Sequence, residues 1–181
     1  MEIKVLSMNI PEVLLIEPEV YRDNRGYFFE SFNQYKWQKI TKLDTVFVQD
    51  NQSYSIKNVI RGLHYQKEHQ QDKLIRVVKG AIYDVAVDIR KDSYTCGKWV
   101  GTVLSETNKK QLYIPKGFAH GFLTISDDAI VSYKVSDYRY PEHEKTIIWD
   151  DKTIGILWPI DGDPIISEKD LKGTPYFENI I

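Results

Sequence analysis

Between Ala81 and Arg90 the chain alternates strictly, with Tyr83, Val85, Val87 and Ile89 pointing one way and Asp84, Asp88 and Arg90 the other. Successive side chains fall on opposite faces only in an extended strand, so this segment predicts a strand. The same period of two runs from Ala129 to Val135, with Ala129, Val131, Tyr133 and Val135 on one face and Ile130, Ser132 and Lys134 on the other. Both faces mix polar and apolar residues, as suits a strand lying between a cavity and a packed neighbour. Further β-rich runs cover Val46 to Gln49, Leu74 to Val78, Lys98 to Leu104, Gln111 to Ile114, Phe118 to Ile125 and Thr146 to Trp149, and Gly, Asn or Asp breaks separate most of them. Helix is a minority component: Asn33 to Ile40 reads as one short helix and Ser167 to Asp170 as the start of another. Many short strands with little helix predict an all-β fold, a small antiparallel β-barrel or jelly roll whose closure removes exposed strand edges.

No 20- to 50-residue period repeats, and no Pro-, Gly- or Ser-rich linker divides the chain, so residues 1–181 read as a single domain. A chain of 181 residues buries roughly 70% of the surface its unfolded form exposes, enough for a core without staples. The single Cys96 is consistent, since one thiol makes no internal disulfide. A hydrophobic fraction of 42% excludes a disordered chain, and no apolar run approaches membrane-spanning length. Twenty-four basic against 26 acidic residues leave a net charge of −2, which provides no long-range field for nucleic acid, although a local basic cluster could still hold a phosphate. The stretch from Met1 to Ser7 has no basic segment followed by a long apolar one, so the expected location is cytoplasmic.

Of the four histidines, His64 and His120 stand in the most informative contexts. His64 lies in Arg61-Gly62-Leu63-His64-Tyr65-Gln66, and His120 closes Pro115-Lys116-Gly117-Phe118-Ala119-His120. The second resembles the Pro-x-Gly-x-x-His motif of cupins, in which a turn feeds a strand whose histidine can face the barrel cavity. Either residue is equally readable as a core histidine satisfied by hydrogen bonds. A metal-binding cupin has His-x-His with a nearby Glu, whereas this chain has Gln66 in the second position. An amide is a far weaker transition-metal ligand than imidazole, so no metal and no cofactor is expected. The histidines are then free for proton transfer, which their near-neutral pKa suits.

A histidine base needs a carboxylate to fix its tautomer, and Asp84, Asp88 and Asp170 are the candidates. For Asp170 the spacing Ser167-x-x-Asp170 favours a helix cap instead. Arg25 and Arg61 each precede a glycine, so the backbone can approach a phosphate closely and the guanidinium can grip it in a fork. Gln49-Asp50-Asn51-Gln52 supplies amides of the kind that read a sugar or a base edge.

Together with Asp23 to Glu30, Asp84 to Arg90, Pro115 to Phe122, Tyr133-Lys134, Trp158-Pro159 and Ser167 to Asp170, these motifs occur in an order and at spacings that resemble the dTDP-4-dehydrorhamnose 3,5-epimerase family of cupin barrels. The resemblance spans most of the chain. It implies a cofactor-independent isomerase inverting C3 and C5 of dTDP-4-dehydro-6-deoxy-D-glucose through an enolate, in dTDP-L-rhamnose biosynthesis. By resemblance His64 is the base, Lys73 stabilises the enolate oxygen, Tyr133 returns a proton from the other side, and Asp170 becomes the partner of His64. The family pattern also places Arg25, Glu30, Gln49, Asn51, Arg61, Glu144 and Lys169 around the substrate, with His120 lining the sugar pocket. Tyr138 matches the ring that stacks on the base, with Tyr140 beside it as the alternative, and His143 similarly neighbours Glu144. The family further implies a homodimer with exchanged N-terminal strands.

Two other readings remain open from the residues. One is a 3-epimerase or ketoisomerase acting on another dTDP-keto-sugar. The other is a non-catalytic nucleotide-sugar-binding cupin, which would account for the barrel, arginines and aromatics but not for a base, an acid and a cation together.

Overall fold

The computed structural model describes residues 3–181. Ile3–Ser7 (β1) and Leu14–Pro18 (β2) pair first, followed by a small separate hairpin of Tyr21–Asp23 (β3) and Gly26–Phe28 (β4). Helix α1 (Gln34–Thr41) precedes Gln49–Ile56 (β5), Val59–Gln66 (β6), Lys73–Lys79 (β7), Ala81–Asp88 (β8), Trp99–Ser105 (β9), Gln111–Ile114 (β10), Phe118–Thr124 (β11) and Asp128–Val135 (β12). Glu144–Thr146 (β13), Ile165–Ile166 (β14) and the one-turn helix α2 (Glu168–Leu171) follow, with single 3-10 turns at Pro141–His143 and Tyr176–Glu178. The fold is all-β with two short α-helices. Among the described residues no helix is long and apolar enough to cross a membrane.

Two sheets carry the molecule, one in the order β1-β2-β10-β7-β12-β5 and the other β13-β6-β11-β8-β9, with β14 pairing the start of β6 along the same edge as β13. Their inner faces supply one apolar cluster: Ile75, Val77, Leu112, Ala129 and Val131 come from the first sheet, Ile82, Ala86, Leu104 and Phe122 from the second. Burying each large apolar side chain contributes about 1.5–3 kcal/mol, and the period of two in β8 and β12 is what points these residues inward. The opposite faces are buried as well. Leu63, Val85, Val87 and Ala119 on the outside of the second sheet lie under the C-terminal segment, through Ile147, Ile154 and Tyr176. On the outside of the first sheet, Ile16, Leu74 and Tyr113 pack under Trp37 of α1, whose ring lies 5.1 Å from that of Tyr113. Asn33 caps α1 by accepting from the Lys36 N–H.

The strands read from Ala81, Leu74, Lys98, Gln111, Phe118 and Ala129 are present to within about two residues at either end. Two differ. The run from Val46 to Gln49 is not a strand until Gln49, and the strand continues instead to Ile56. β5 reads Gln-Asp-Asn-Gln-Ser-Tyr-Ser-Ile and has no apolar alternation; an eight-residue antiparallel register with β12, from Gln49 opposite Val135 to Ile56 opposite Asp128, makes it a strand. The run from Thr146 to Trp149 is likewise displaced: β13 ends at Thr146, and Ile147 beyond it exchanges backbone hydrogen bonds with Leu63 and bridges to Thr174.

Candidate active site

His64 on β6 and His120 on β11 are direct cross-strand neighbours. Between this pair and Phe122 opposite Arg61, β6 places two residues, Gly62 and Leu63, where β11 places one, Gly121. This extra residue is a β-bulge, and it changes what the strand presents. In a regular strand Arg61 and His64, three apart, would face opposite ways; here both line the same cavity. Gly62 makes the bulge possible: its φ is +124°, and a Cβ there would sit 2.6 Å from Gly121 Cα and 2.7 Å from the His120 carbonyl oxygen.

The cavity has a volume of about 430 Å³ and opens between the two sheets. From the second sheet come Arg61, His64, His120 and Phe122; from the first come Asn51, Ser53, Lys73 and Tyr133; Glu144, Lys169 and Asp170 close the rim. The His64 Nε2 lies 2.6 Å from Asp170 Oδ1, and Asp170 Oδ2 accepts from the Gly62 N–H at 3.3 Å. Burial works to raise the Asp170 carboxyl, but these hydrogen bonds outweigh it and hold the group below the usual carboxylate range. The helix cap is also present: Ser167 Oγ accepts from the Asp170 backbone N–H. Position 170 therefore does both jobs, backbone for the cap and carboxylate for the histidine, so the two readings of Ser167-x-x-Asp170 do not compete.

A second carboxylate–imidazole pair lies deeper. Asp84, fully buried, meets His120 Nε2 at 2.9 Å. Burial pushes the His120 imidazole below its ordinary value despite Asp84. Asp88, the remaining candidate partner, is engaged elsewhere: Arg90, Ser93 and Thr95 all donate to it, anchoring the turn after β8. Lys73 is 8% exposed, donates to the His64 carbonyl at 3.2 Å, and is lowered by burial to about 8, with Asp84 and Glu144 opposing the shift. Burial raises the Tyr133 hydroxyl, which stays protonated at neutral pH, and Glu144 adds to the shift.

At the rim Glu144 accepts from Arg139 at 2.7 and 3.1 Å and from Lys169 at 2.6 Å. The Arg139 hydrogen bonds lower its carboxyl to about 2, with burial opposing and Lys169 assisting. Arg61 is braced by Ser55 Oγ and the Tyr54 carbonyl. A cavity walled by Arg61, Lys73, Arg139 and Lys169 suits an anionic ligand, and its volume suits a small one.

Nine of the residues expected from sequence come together here: His64, Lys73, Tyr133, Asp170, Asn51, Arg61, His120, Glu144 and Lys169. Gln49 stands just behind, donating to Asn51 Oδ1 at 2.8 Å. Tyr138 is exposed and does not line the cavity, and Tyr140 stacks on His69 with ring centroids 4.0 Å apart. His143 turns toward Glu68 and leaves the cavity to Glu144. Arg25 and Glu30 are not brought in. Arg25 pairs with Asp23 on the exposed β3–β4 hairpin, and Glu30 binds Lys36 and Asn33. Sequence reasoning passed over Ser53, Gln71, Phe122 and Arg139 as cavity residues. The period of two locates Ser53 from Asn51 and Phe122 from His120, but Gln71 and Arg139 lie in irregular segments that carry no such signal.

Gln66 does not face a metal-ligand position at all. Its amide binds the His69 and Tyr138 carbonyls and the Tyr140 N–H. Among the described residues no three His, Cys, Asp or Glu side chains are grouped as metal ligands would be.

Known proteins are similar to this chain over nearly its whole length. The family model described as dTDP-4-dehydrorhamnose 3,5-epimerase matches residues 7–178. The dTDP-4-dehydrorhamnose 3,5-epimerase of Escherichia coli K12 is 53% identical over 92% of this chain and 90% of that protein. The protein of the same name from Methanothermobacter thermautotrophicus is 49% identical over 98% of this chain and 97% of its own length. The crystal structure of the Legionella pneumophila epimerase in complex with dTDP-4-keto-L-rhamnose superposes with a TM-score of 0.96 at 44% identity, covering 97% of this chain and 94% of that one. Matched from β2 through the C-terminal segment, with an imidazole–carboxylate pair facing a tyrosine across the cavity, the chain belongs to the dTDP-4-dehydrorhamnose 3,5-epimerase family.

Proposed function

We propose that this protein inverts C3 and C5 of dTDP-4-dehydro-6-deoxy-D-glucose to give dTDP-4-dehydro-L-rhamnose, using only its own side chains, as a step of dTDP-L-rhamnose biosynthesis in the cytoplasm. One observation carries the reading: His64, held by Asp170 at 2.6 Å, and Tyr133 enter one cavity from opposite sheets, with the buried Lys73 in the same wall as Tyr133. C3 and C5 both flank the C4 ketone. His64 removes the proton from one of these carbons, and the electron pair moves onto the C4 oxygen as an enolate. Lys73, cationic below its value of about 8, faces that developing charge; one such preorganised donor is commonly worth about 3 kcal/mol. The enolate collapses as Tyr133 donates its proton to the opposite face of the carbon, which inverts it. His64 then loses its proton and Tyr133 regains one through solvent, ready for the second centre. A base on one wall and an acid on the other is what inversion requires, because a single residue would return the proton to the face it left.

Arg61, Arg139 and Lys169 would hold the diphosphate, Asn51 with Gln49 behind it the polar edge of the nucleoside, and Tyr138 the base. Tyr140 is already stacked on His69, which favours Tyr138 for that role. Residues 1–181 act as one cupin-type unit in a homodimer, in which Arg25 and Glu30 reach the neighbouring subunit's cavity. The exposed hairpin carrying Arg25, with Tyr27 and Phe28 uncovered beside it, supports that assignment.

Proton NMR of the substrate in deuterated water with chelator present tests the reaction. Deuterium at both C3 and C5 is expected, with loss of both in His64→Ala. Label at C3 alone would reassign the protein as a 3-epimerase, and saturable binding without exchange would leave a binding protein only.

A further inference from the structure

Gln66 is 5% exposed and takes no part in the proton transfers. Its amide is fully committed: Nε2 donates to the carbonyls of His69 (2.6 Å) and Tyr138 (3.2 Å), and Oε1 accepts from the Tyr140 N–H (2.7 Å). Two donors facing carbonyls and an acceptor facing an N–H fix which way the amide points. Gln71 reaches the same segment from the other side, donating to the carbonyls of Asp137 (2.8 Å) and Tyr138 (3.1 Å). Gln49 Oε1 accepts from the Arg139 N–H at 3.2 Å. The segment from Asp137 to Tyr140 belongs to no strand or helix, so its polar backbone groups lack the ladder partners that order a strand. Glutamine side chains supply those partners instead, and the segment they hold aims Arg139 at Glu144 in the cavity rim.

The position of this rim says which end of the substrate it serves. Lys73 and His120, on the proton-transfer side, are buried, whereas the Arg139 and Lys169 side chains are 58% and 55% exposed. We infer that Gln66 is a positioning residue: it fixes the Asp137–Tyr140 segment so that Arg139 meets the diphosphate end of the substrate, and it therefore sets nucleotide affinity and not the rate of proton transfer. This rests on the cavity being a dTDP-sugar site.

Gln66→Met keeps the side-chain volume nearly constant while removing all three hydrogen bonds. Gln66→Asn provides a second variant, since it keeps an amide but draws it back by one methylene from the Asp137–Tyr140 backbone. Calorimetric titration with dTDP and steady-state kinetics should show both variants binding more weakly, Gln66→Met by about tenfold or more, with KM rising in step and kcat within about twofold of wild type. Amide deuterium exchange of residues 137–140 should quicken in both. An unchanged dTDP affinity, or a fall in kcat at constant KM, would overturn the inference. If Gln66→Met does not fold, Gln66→Asn decides alone on the same criteria. Failure of the wild-type protein to bind dTDP would instead remove the cavity reading, and the inference with it.

Discussion

Burying a lysine costs free energy unless its charge is matched, and Lys73 at 8% exposure is matched incompletely. Its value of about 8 lies below the 10.5 of an ordinary lysine, so between those two pH values the unfolded chain binds a proton that the folded chain has lost. The stability penalty is therefore fully present below about pH 8 and fades as pH rises toward 10.5. A shift of this size corresponds to roughly 3 kcal/mol. Lys73→Met should raise the melting temperature at pH 7, by an amount that shrinks as pH rises, while turnover falls at least a hundredfold or so. Thermal melts at pH 7 and pH 10, set beside rates, check it; an unchanged or lower melting temperature at pH 7 would refute the balance argued here. At this scale the chemistry was readable: residue types with few other uses, such as a histidine between glycine and aromatic neighbours, identified His64 and His120. Their partners were less so. Asp84, Asp88 and Asp170 were equivalent by type; the family resemblance gave Asp170 to His64, and only the fold separates Asp84, on His120, from Asp88, bound to Arg90, Ser93 and Thr95.

At the scale of the strand, the bulge in β6 decides the site. Removing the extra residue would turn either Arg61 or His64 away from the cavity, because each one-residue step reverses the face. Gly62→Ala should therefore do more than strain the backbone. With a Cβ 2.6 Å from Gly121 Cα, the variant should lose at least about 2 kcal/mol of stability and lose activity beyond what that instability explains. Denaturant titration combined with rates measured well below the unfolding midpoint would check it; full activity in the folded fraction would show that the bulge does not set the geometry. Periodicity recognised β8 and β12 because apolar residues recur at every second position of each. It missed the extent of β5, whose ordering comes from eight paired residues of β12 and not from apolar burial.

Across the whole molecule, the unplaced pair Arg25 and Glu30 matters most. If each cavity is completed by its neighbour's hairpin, two inactive variants should restore one another. A chain with Arg25→Ala and a chain with His64→Ala, mixed under conditions that allow subunit exchange, form mixed dimers with one intact site each. Equal mixing should recover about a quarter of wild-type activity, since half of the dimers are mixed and half of their sites are whole. No recovery, with exchange verified by mass spectrometry, would place Arg25 outside the partner's site.

Local periodicity and side-chain type were enough for the all-β class, most strand positions and the helix at Asn33, and they singled out His64 and His120; the roles of Lys73, Tyr133 and Asp170 were expected only from the family resemblance. Tertiary structure alone decided three things. It set the face that β6 presents after Gly62, assigned Asp84 to His120, and gathered Gln49, Gln66 and Gln71 onto the Asp137–Tyr140 segment. Each depends on contacts between residues far apart in the chain, where register and close backbone approach, not local preference, settle which groups meet.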